Sequence, residues 1–208
     1  YLKMGEYQKA IDDFKKFIEF HPDFVSAYYN TGEAYLKLGK PEKADEYFSA
    51  IIALGTPDAD MYYGIGKRFY ENRFYERAIK YYDAAVQADP QSAKAYLAKG
   101  TSYYYLENYE KAVENYNKAI NLRPGNISAH KYKAMAYEKS GNYEKAIEAY
   151  NQAVRYAPAD YMLWYMRGNN KLALGRYKAA AEDYRKTLEL KPDFRLAKER
   201  LALALNKQ

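Results

Sequence analysis

Apolar residues recur along this chain at separations of three and four, and the whole arrangement repeats every 34 positions. Tyr28, Tyr62, Tyr96, His130 and Trp164 fall in one column, and Gly32, Gly66, Gly100, Ala134 and Gly168 in another, four residues on. Tyr35, Phe69, Tyr103, Tyr137 and Lys171 make a third. Steps of four and three bring these columns to one face of an α-helix. A second set, Ala10, Ala44, Ala78, Ala112, Ala146 and Ala180 with Phe14, Phe48, Tyr82, Tyr116, Tyr150 and Tyr184, does the same for a following helix. Turn residues such as Leu38-Gly39-Lys40-Pro41, Glu107-Asn108 and Ser140-Gly141-Asn142 separate the two. Each unit is therefore predicted to be a helical hairpin.

A period of this size means stacked units rather than one globular core. The small columns set the packing: a glycine inside a helix costs about 0.8–1 kcal/mol against alanine, so its recurrence implies close helix approach, with large aromatics filling the flanks. Pro22, Pro90, Pro124, Pro158 and Pro192 close most units, and Pro57 comes one residue late. The predicted partition is a single array: a partial repeat over 1–24, full repeats over 25–58, 59–92, 93–126, 127–160 and 161–194, and a capping helix over 195–208. One opening helix, five pairs and one cap are expected. Tyr1 shares the column of Tyr35, so residues 1–6 are expected to end a helix that begins upstream. In the capping helix Leu201 and Leu205 fall in the apolar columns, and Lys198 stands where other units carry an aromatic, as suits an end that faces water.

The unit resembles a tetratricopeptide repeat. That family's pattern of Trp-x2-Leu-Gly-x2-Tyr, then Ala-x3-Phe, then Pro reads here as Tyr96-x2-Lys99-Gly100-x2-Tyr103, Ala112-x3-Tyr116 and Pro124, and in a later copy as Trp164-x2-Arg167-Gly168. The departure is the family's leucine column, which holds Thr31, Ile65, Lys99, Lys133 and Arg167. The long stems of Lys99, Lys133 and Arg167 are expected to cover apolar surface with the charged heads in water. The resemblance implies an all-α fold, a right-handed α-solenoid of stacked antiparallel hairpins, with extended peptides bound on a concave surface lined by the first helices.

One residue beyond each packing column, about 100° round the helix, lie Tyr29, Glu33 and Leu36; Tyr63, Lys67 and Tyr70; Leu97, Thr101 and Tyr104; Lys131, Met135 and Glu138; and Tyr165, Asn169 and Leu172. Lys37, Glu71, Lys94, Tyr105 and Lys139 flank them. These are the candidate groove residues. Most of the 27 tyrosines fill framework columns, but Tyr29, Tyr63, Tyr70, Tyr104, Tyr105 and Tyr165 fall on this face. On an open face such rings have no partner within the chain, and tyrosine offers rigid contact area at small entropic cost. They are expected to anchor a ligand. Lysines and carboxylates are nearly balanced there, Lys37, Lys67, Lys94, Lys131, Lys139 and Lys207 against Glu33, Asp60, Glu71, Glu138 and Glu199, which argues against a polyphosphate ligand. Some relatives clamp acidic chaperone tails with a Lys and Asn pair from one first helix. No matching pair here is Lys with Asn, so that activity is not carried over.

Composition narrows the chemistry. The chain of 208 residues is 49% hydrophobic and carries a net charge of +6, placed unevenly at −1 over residues 1–104 and +7 over 105–208. No apolar run approaches the ~18 residues of a membrane span, and no secretory leader is visible. Without cysteine there are no disulfides, thiolate metal sites or cysteine nucleophiles. His21 and His130 read as structural, with no metal-binding spacing between them. Gly64-Ile65-Gly66-Lys67 lacks the gap of a phosphate loop and lies inside a predicted helix. Asp12-Asp13 and Glu182-Asp183 read as helix-surface carboxylates, and the sequon at Asn126-Ile127-Ser128 as a loop between repeats.

The expectation is a non-enzymatic scaffold without cofactor or metal, whose partner is another protein or peptide held as an extended segment or helix. Two alternatives remain. One is self-association through Ile11, Phe14 and Ile18 of the opening helix and Leu196 and Leu203 of the cap. The other is single-stranded nucleic acid stacked on aromatics beside lysines, which the balanced charge disfavours.

Overall fold

The computed structural model describes residues 5–55 and 58–207. Among these the chain forms twelve α-helices: α1 (Tyr7–Phe20), α2 (Val25–Lys37), α3 (Pro41–Leu54), α4 (Ala59–Glu71), α5 (Tyr75–Ala88), α6 (Ala93–Tyr105), α7 (Tyr109–Leu122), α8 (Ile127–Lys139), α9 (Tyr143–Tyr156), α10 (Tyr161–Ala173), α11 (Tyr177–Leu190) and α12 (Arg195–Asn206). The late Pro57 and the register of Tyr1 lie outside the described residues. The class is all-α, the hairpin array of an α-solenoid, and no described helix is long and apolar enough to cross a membrane.

The turn inside each hairpin is set by one backbone device. Gly39, Arg73, Glu107, Gly141 and Gly175, 34 residues apart, all adopt positive φ, from 60° to 77°. Each next residue donates its N–H five residues back: Lys40 to the Tyr35 carbonyl, Phe74 to Phe69, Asn108 to Tyr103, Asn142 to Tyr137 and Arg176 to Lys171, at 2.8–2.9 Å. This left-handed cap satisfies carbonyls that a helix end leaves open. Helix starts are capped too: Asp58, Asn108, Asn126, Asn142 and Asp160 accept main-chain N–H groups with their side chains.

The first column of the repeat has a polar job as well as a packing one. The Tyr28 hydroxyl donates to the Pro22 carbonyl at 2.9 Å, and the Trp164 indole N–H to that of Pro158 at 2.8 Å. Nε2 of His130 lies 2.8 Å from the Pro124 carbonyl, a group that only accepts, so that nitrogen carries the proton. Three different rings thus tie a first helix to the proline loop six residues before it.

Contacts gather the chain into two compact units, residues 1–102 and 103–208. In the first, Ile11, Phe48, Ile65, Phe69 and Tyr82 belong to one buried cluster. The glycine column makes it possible: a Cβ on Gly32 would stand 2.8 Å from the Phe48 ring, and one on Gly66 2.9 Å from the Tyr82 ring. In the second, Tyr150 and Leu163 centre one cluster and Tyr184 with Ala204 another. There Gly168 faces Tyr184 in the same way, at 2.8 Å.

Two end-helix expectations need correction. Ile11 is fully buried, because it joins the cluster that α2 and α3 build, while Phe14 and Ile18 are half-buried. Among the described residues, the exposed phenylalanines of this end are Phe17, Phe20 and Phe24. In α12 the packed face is Ala197, Leu201 and Ala204, whereas Leu205 is 42% exposed.

Candidate peptide-binding face

In the first unit the candidate residues on α2, α4 and α6 form a ladder of rings and opposite charges. The Tyr29 ring meets Phe48 edge-on at 5.7 Å, and its hydroxyl accepts from Nε of Arg68 at 2.7 Å. That bond raises the Arg68 pKa, and the guanidinium lies 5.7 Å from the ring centre. Arg68 continues to Glu71 at 3.0 Å and Glu33 at 3.7 Å, and Lys67 reaches Glu71 at 3.8 Å. Lys94 donates to Asp60 at 2.5 Å while its ammonium stands 5.0 Å from the Tyr63 ring. Tyr63 lies 5.6 Å from Tyr82, and Tyr70 lies 5.6 Å from Tyr75. Leu97 is half-buried.

In the second unit Tyr104 packs against Tyr105 and Tyr109, at 5.6 and 5.7 Å, and burial raises its pKa. Tyr105 is the most exposed of the six groove tyrosines, at 48%. Lys131 lies over Tyr132 at 5.4 Å, and Met135 packs on the Tyr150 cluster. Tyr165 sits 6.0 Å from Tyr184 and 5.0 Å from Phe194, and the Tyr184 hydroxyl donates to Oδ1 of Asn169 at 2.9 Å.

A cavity of about 540 Å³ opens in this unit, lined by Glu138 of α8, Asn169 and Leu172 of α10, Tyr177 of α11, Arg200 and Leu203 of α12, and Lys207. Its far wall is held in place by hydrogen bonds: Oε2 of Glu138 accepts from Nδ2 of Asn170 at 2.9 Å and from the Tyr150 hydroxyl at 3.4 Å. Glu138, Asn169, Leu172, Leu203 and Lys207 are all positions that the helical spacing assigns to the groove side. Arg200 and Tyr177 are not: Arg200 lies one residue beyond the groove position Glu199, about 100° round α12, and Tyr177 opens α11, a second helix.

Several expectations change here. The tyrosines of this face do have partners within the chain. Tyr29, Tyr63 and Tyr165 rest on Phe48, Tyr82 and Tyr184, each 19 residues on, so their rings are half-buried with one face spent. Leu36 is core, 2% exposed, and Thr101 is buried with its hydroxyl on the Leu97 carbonyl at 2.8 Å. Asp183 is no surface carboxylate: it is 2% exposed and takes Nε and Nη2 of Arg167 at 2.9 and 2.6 Å and Lys171 at 2.8 Å. Arg167 therefore spends its head on a buried partner instead of reaching water. The signal was in the period. Lys171 and Asp183 occupy the columns in which Tyr35 meets Tyr47 and Phe69 stacks on Tyr81.

Models described as tetratricopeptide repeat or TPR repeat match residues 1–39, 25–54, 63–127, 97–161, 132–169 and 161–194. Among solved structures, the C-terminal part of a TPR repeat-containing protein from Cytophaga hutchinsonii has a TM-score of 0.72 at 22% identity, covering 97% of this chain and 81% of that one. MamA from residue 41 to its end, from Desulfovibrio magneticus, gives 0.68 at 24% identity, over 82% and 97%. YrrB, described as a TPR protein with an unusual peptide-binding site, gives 0.67 at 21% identity, over 89% and 96%. At these identities the likeness concerns the fold. No curated protein sequence matches the chain.

Proposed function

The chain belongs to the tetratricopeptide repeat family, and from that premise we propose that it is a non-catalytic scaffold holding a peptide or partner helix against its first-helix face. Repeats of this family are protein-interaction modules. The observation that carries the finer reading is the convergence of α8, α10 and α12 on one cavity of about 540 Å³ that mixes Glu138, Asn169, Arg200 and Lys207 with Leu172 and Leu203. A cavity that sets charged and amide groups beside a few apolar ones can take a polar side chain of a ligand, and a framework already ordered leaves only the ligand to lose entropy. YrrB, a similar fold, carries a peptide-binding site. Lys67, Arg68 and Lys94 each already face a carboxylate, which leaves less free positive charge for a nucleic acid.

The test is to select peptides from a random library on the whole chain and measure their affinity for Arg200→Glu and Leu203→Ser. Loss of at least about tenfold, the weight of roughly 1.4 kcal/mol, is expected with unchanged circular dichroism. Unchanged affinity in both variants moves the site elsewhere.

Self-association is favoured by a separate observation. Phe17, Phe20, Phe24 and Val25 are 41, 79, 50 and 40% exposed around one helix junction, and contiguous apolar surface of this kind mediates contacts. Light scattering over a range of concentrations, compared with Phe20→Glu, decides it: a strict monomer in both removes this reading.

A further inference from the structure

Successive repeats treat one half-buried cation differently. In repeat 161–194 the carboxylate of Asp183 sits between Arg167 and Lys171. Thirty-four residues earlier the same three positions hold Ala149, Lys133 and Tyr137. The cation is kept and the carboxylate is replaced by a methyl group.

Space is left where the carboxylate would be. A cavity of about 350 Å³ opens between α8 and α9, lined by His130, Lys133, Tyr137, Lys145, Glu148, Ala149 and Gln152. Lys133 and Lys145 both stand over the Tyr137 ring, at 6.0 and 5.7 Å. Among the described residues neither ammonium has a carboxylate oxygen within 4.0 Å. Burial pushes the Lys133 ammonium down from the ordinary lysine value, and the charge of Glu148 offsets this only in part. Glu148 has the register of Glu182, and in that repeat the buried Asp183 neutralises the cations while Glu182 stays exposed. His130 is already engaged by the Pro124 carbonyl and by stacking on Tyr156. The cavity therefore presents two cations against one exposed carboxylate. Its α8 residues point roughly 120° away from the groove positions Lys131, Met135 and Glu138.

We infer that this side cavity receives a carboxylate from a partner peptide, whose oxygens lie between Lys133 and Lys145 as those of Asp183 lie between Arg167 and Lys171 one repeat later. The site is separate from the 540 Å³ cavity and does not depend on a ligand there. An acidic side chain and a chain-terminal carboxylate offer the same two oxygens, and a charge-assisted hydrogen bond to either is short and strong.

The test uses the whole chain, labelled with nitrogen-15, and three probes at constant ionic strength: blocked Gly-Glu-Gly, N-blocked Gly-Gly-Gly with a free C-terminus, and blocked Gly-Gln-Gly. Saturable shifts of α8 and α9 amides with a carboxylate probe but not the glutamine probe are expected, and the arm that binds tighter identifies the source. Ala149→Asp, which supplies an internal carboxylate, should weaken that binding at least tenfold and raise the melting temperature. Lys133→Met should weaken it equally, which keeps the proposal testable if Ala149→Asp does not fold. Absence of saturable shifts with both carboxylate probes, equal shifts with the glutamine probe, or binding untouched in either folded variant overturns it.

Discussion

The ammonium of Lys171 lies 2.8 Å from the carboxylate of Asp183, in the register where Tyr35 and Tyr47 place two rings 5.5 Å apart. One scaffold position thus accepts an aromatic pair or an ion pair. Between these two repeats both residues change together, because a lone charge left in that slot would lose water and gain nothing.

Removing Asp183 alone leaves Arg167 and Lys171 facing each other in a mostly buried site, with side-chain exposures of 12 and 16%. Asp183→Ala is expected to cost about 3–5 kcal/mol in urea unfolding. The triple change Arg167→Ile, Lys171→Phe and Asp183→Tyr, which copies Ile65, Phe69 and Tyr81, should recover most of the loss. A single variant within about 1 kcal/mol of the parent would contradict the triad's role.

Two glycines of α4 should respond with opposite sign. A Cβ at Gly66 meets ring carbons of Tyr82 at 2.9 Å and the Ala78 carbonyl at 3.2 Å, whereas a Cβ at Gly64 meets nothing within 4 Å. Gly66→Ala should destabilise by roughly 1–2 kcal/mol net, since overpacking outweighs propensity. Gly64→Ala should stabilise by about 0.5–1 kcal/mol. Equal melting temperatures for the pair would refute the close approach of α4 and α5.

Arg73 and Glu107 hold φ values of 66° and 60° where other repeats have glycine. A side chain in that region costs about 1–2 kcal/mol, and glycine returns part of it as chain entropy. Glu107→Gly is expected to raise stability by about 0.5–1 kcal/mol, and Gly141→Ala to lower it by a similar amount. Differential scanning calorimetry checks both.

Burial raises the pKa of Tyr82, Tyr150 and Tyr184. The unfolded chain releases these protons near the ordinary value of about 10, while the folded chain keeps them. Their contribution is therefore complete below about pH 10 and falls as pH rises above it. Tyrosinate absorbance should show these three ionising only as helicity is lost. Full ionisation with helicity intact would mean the rings are not enclosed.

Much of this molecule could be read from spacing alone. A residue's helical face is fixed by local geometry, so the 34-residue period located the helices, the turns at Gly39, Glu107 and Gly141, and the columns of Phe48 and Tyr82. The same spacing placed Glu138, Asn169 and Leu172 on one side of their helices, and these line one cavity. Tertiary packing decided the rest. The period sets Asp183 in the column of buried Tyr81 and Glu182 outside it, but the Arg167 and Lys171 that neutralise Asp183 come from another helix and carry no local signature. Tyr29 and Ile11 follow the same logic: Phe48 and Arg68 cover the first and the α2–α3 cluster the second. Periodicity says which way a side chain points, and only the neighbouring helix says what it meets.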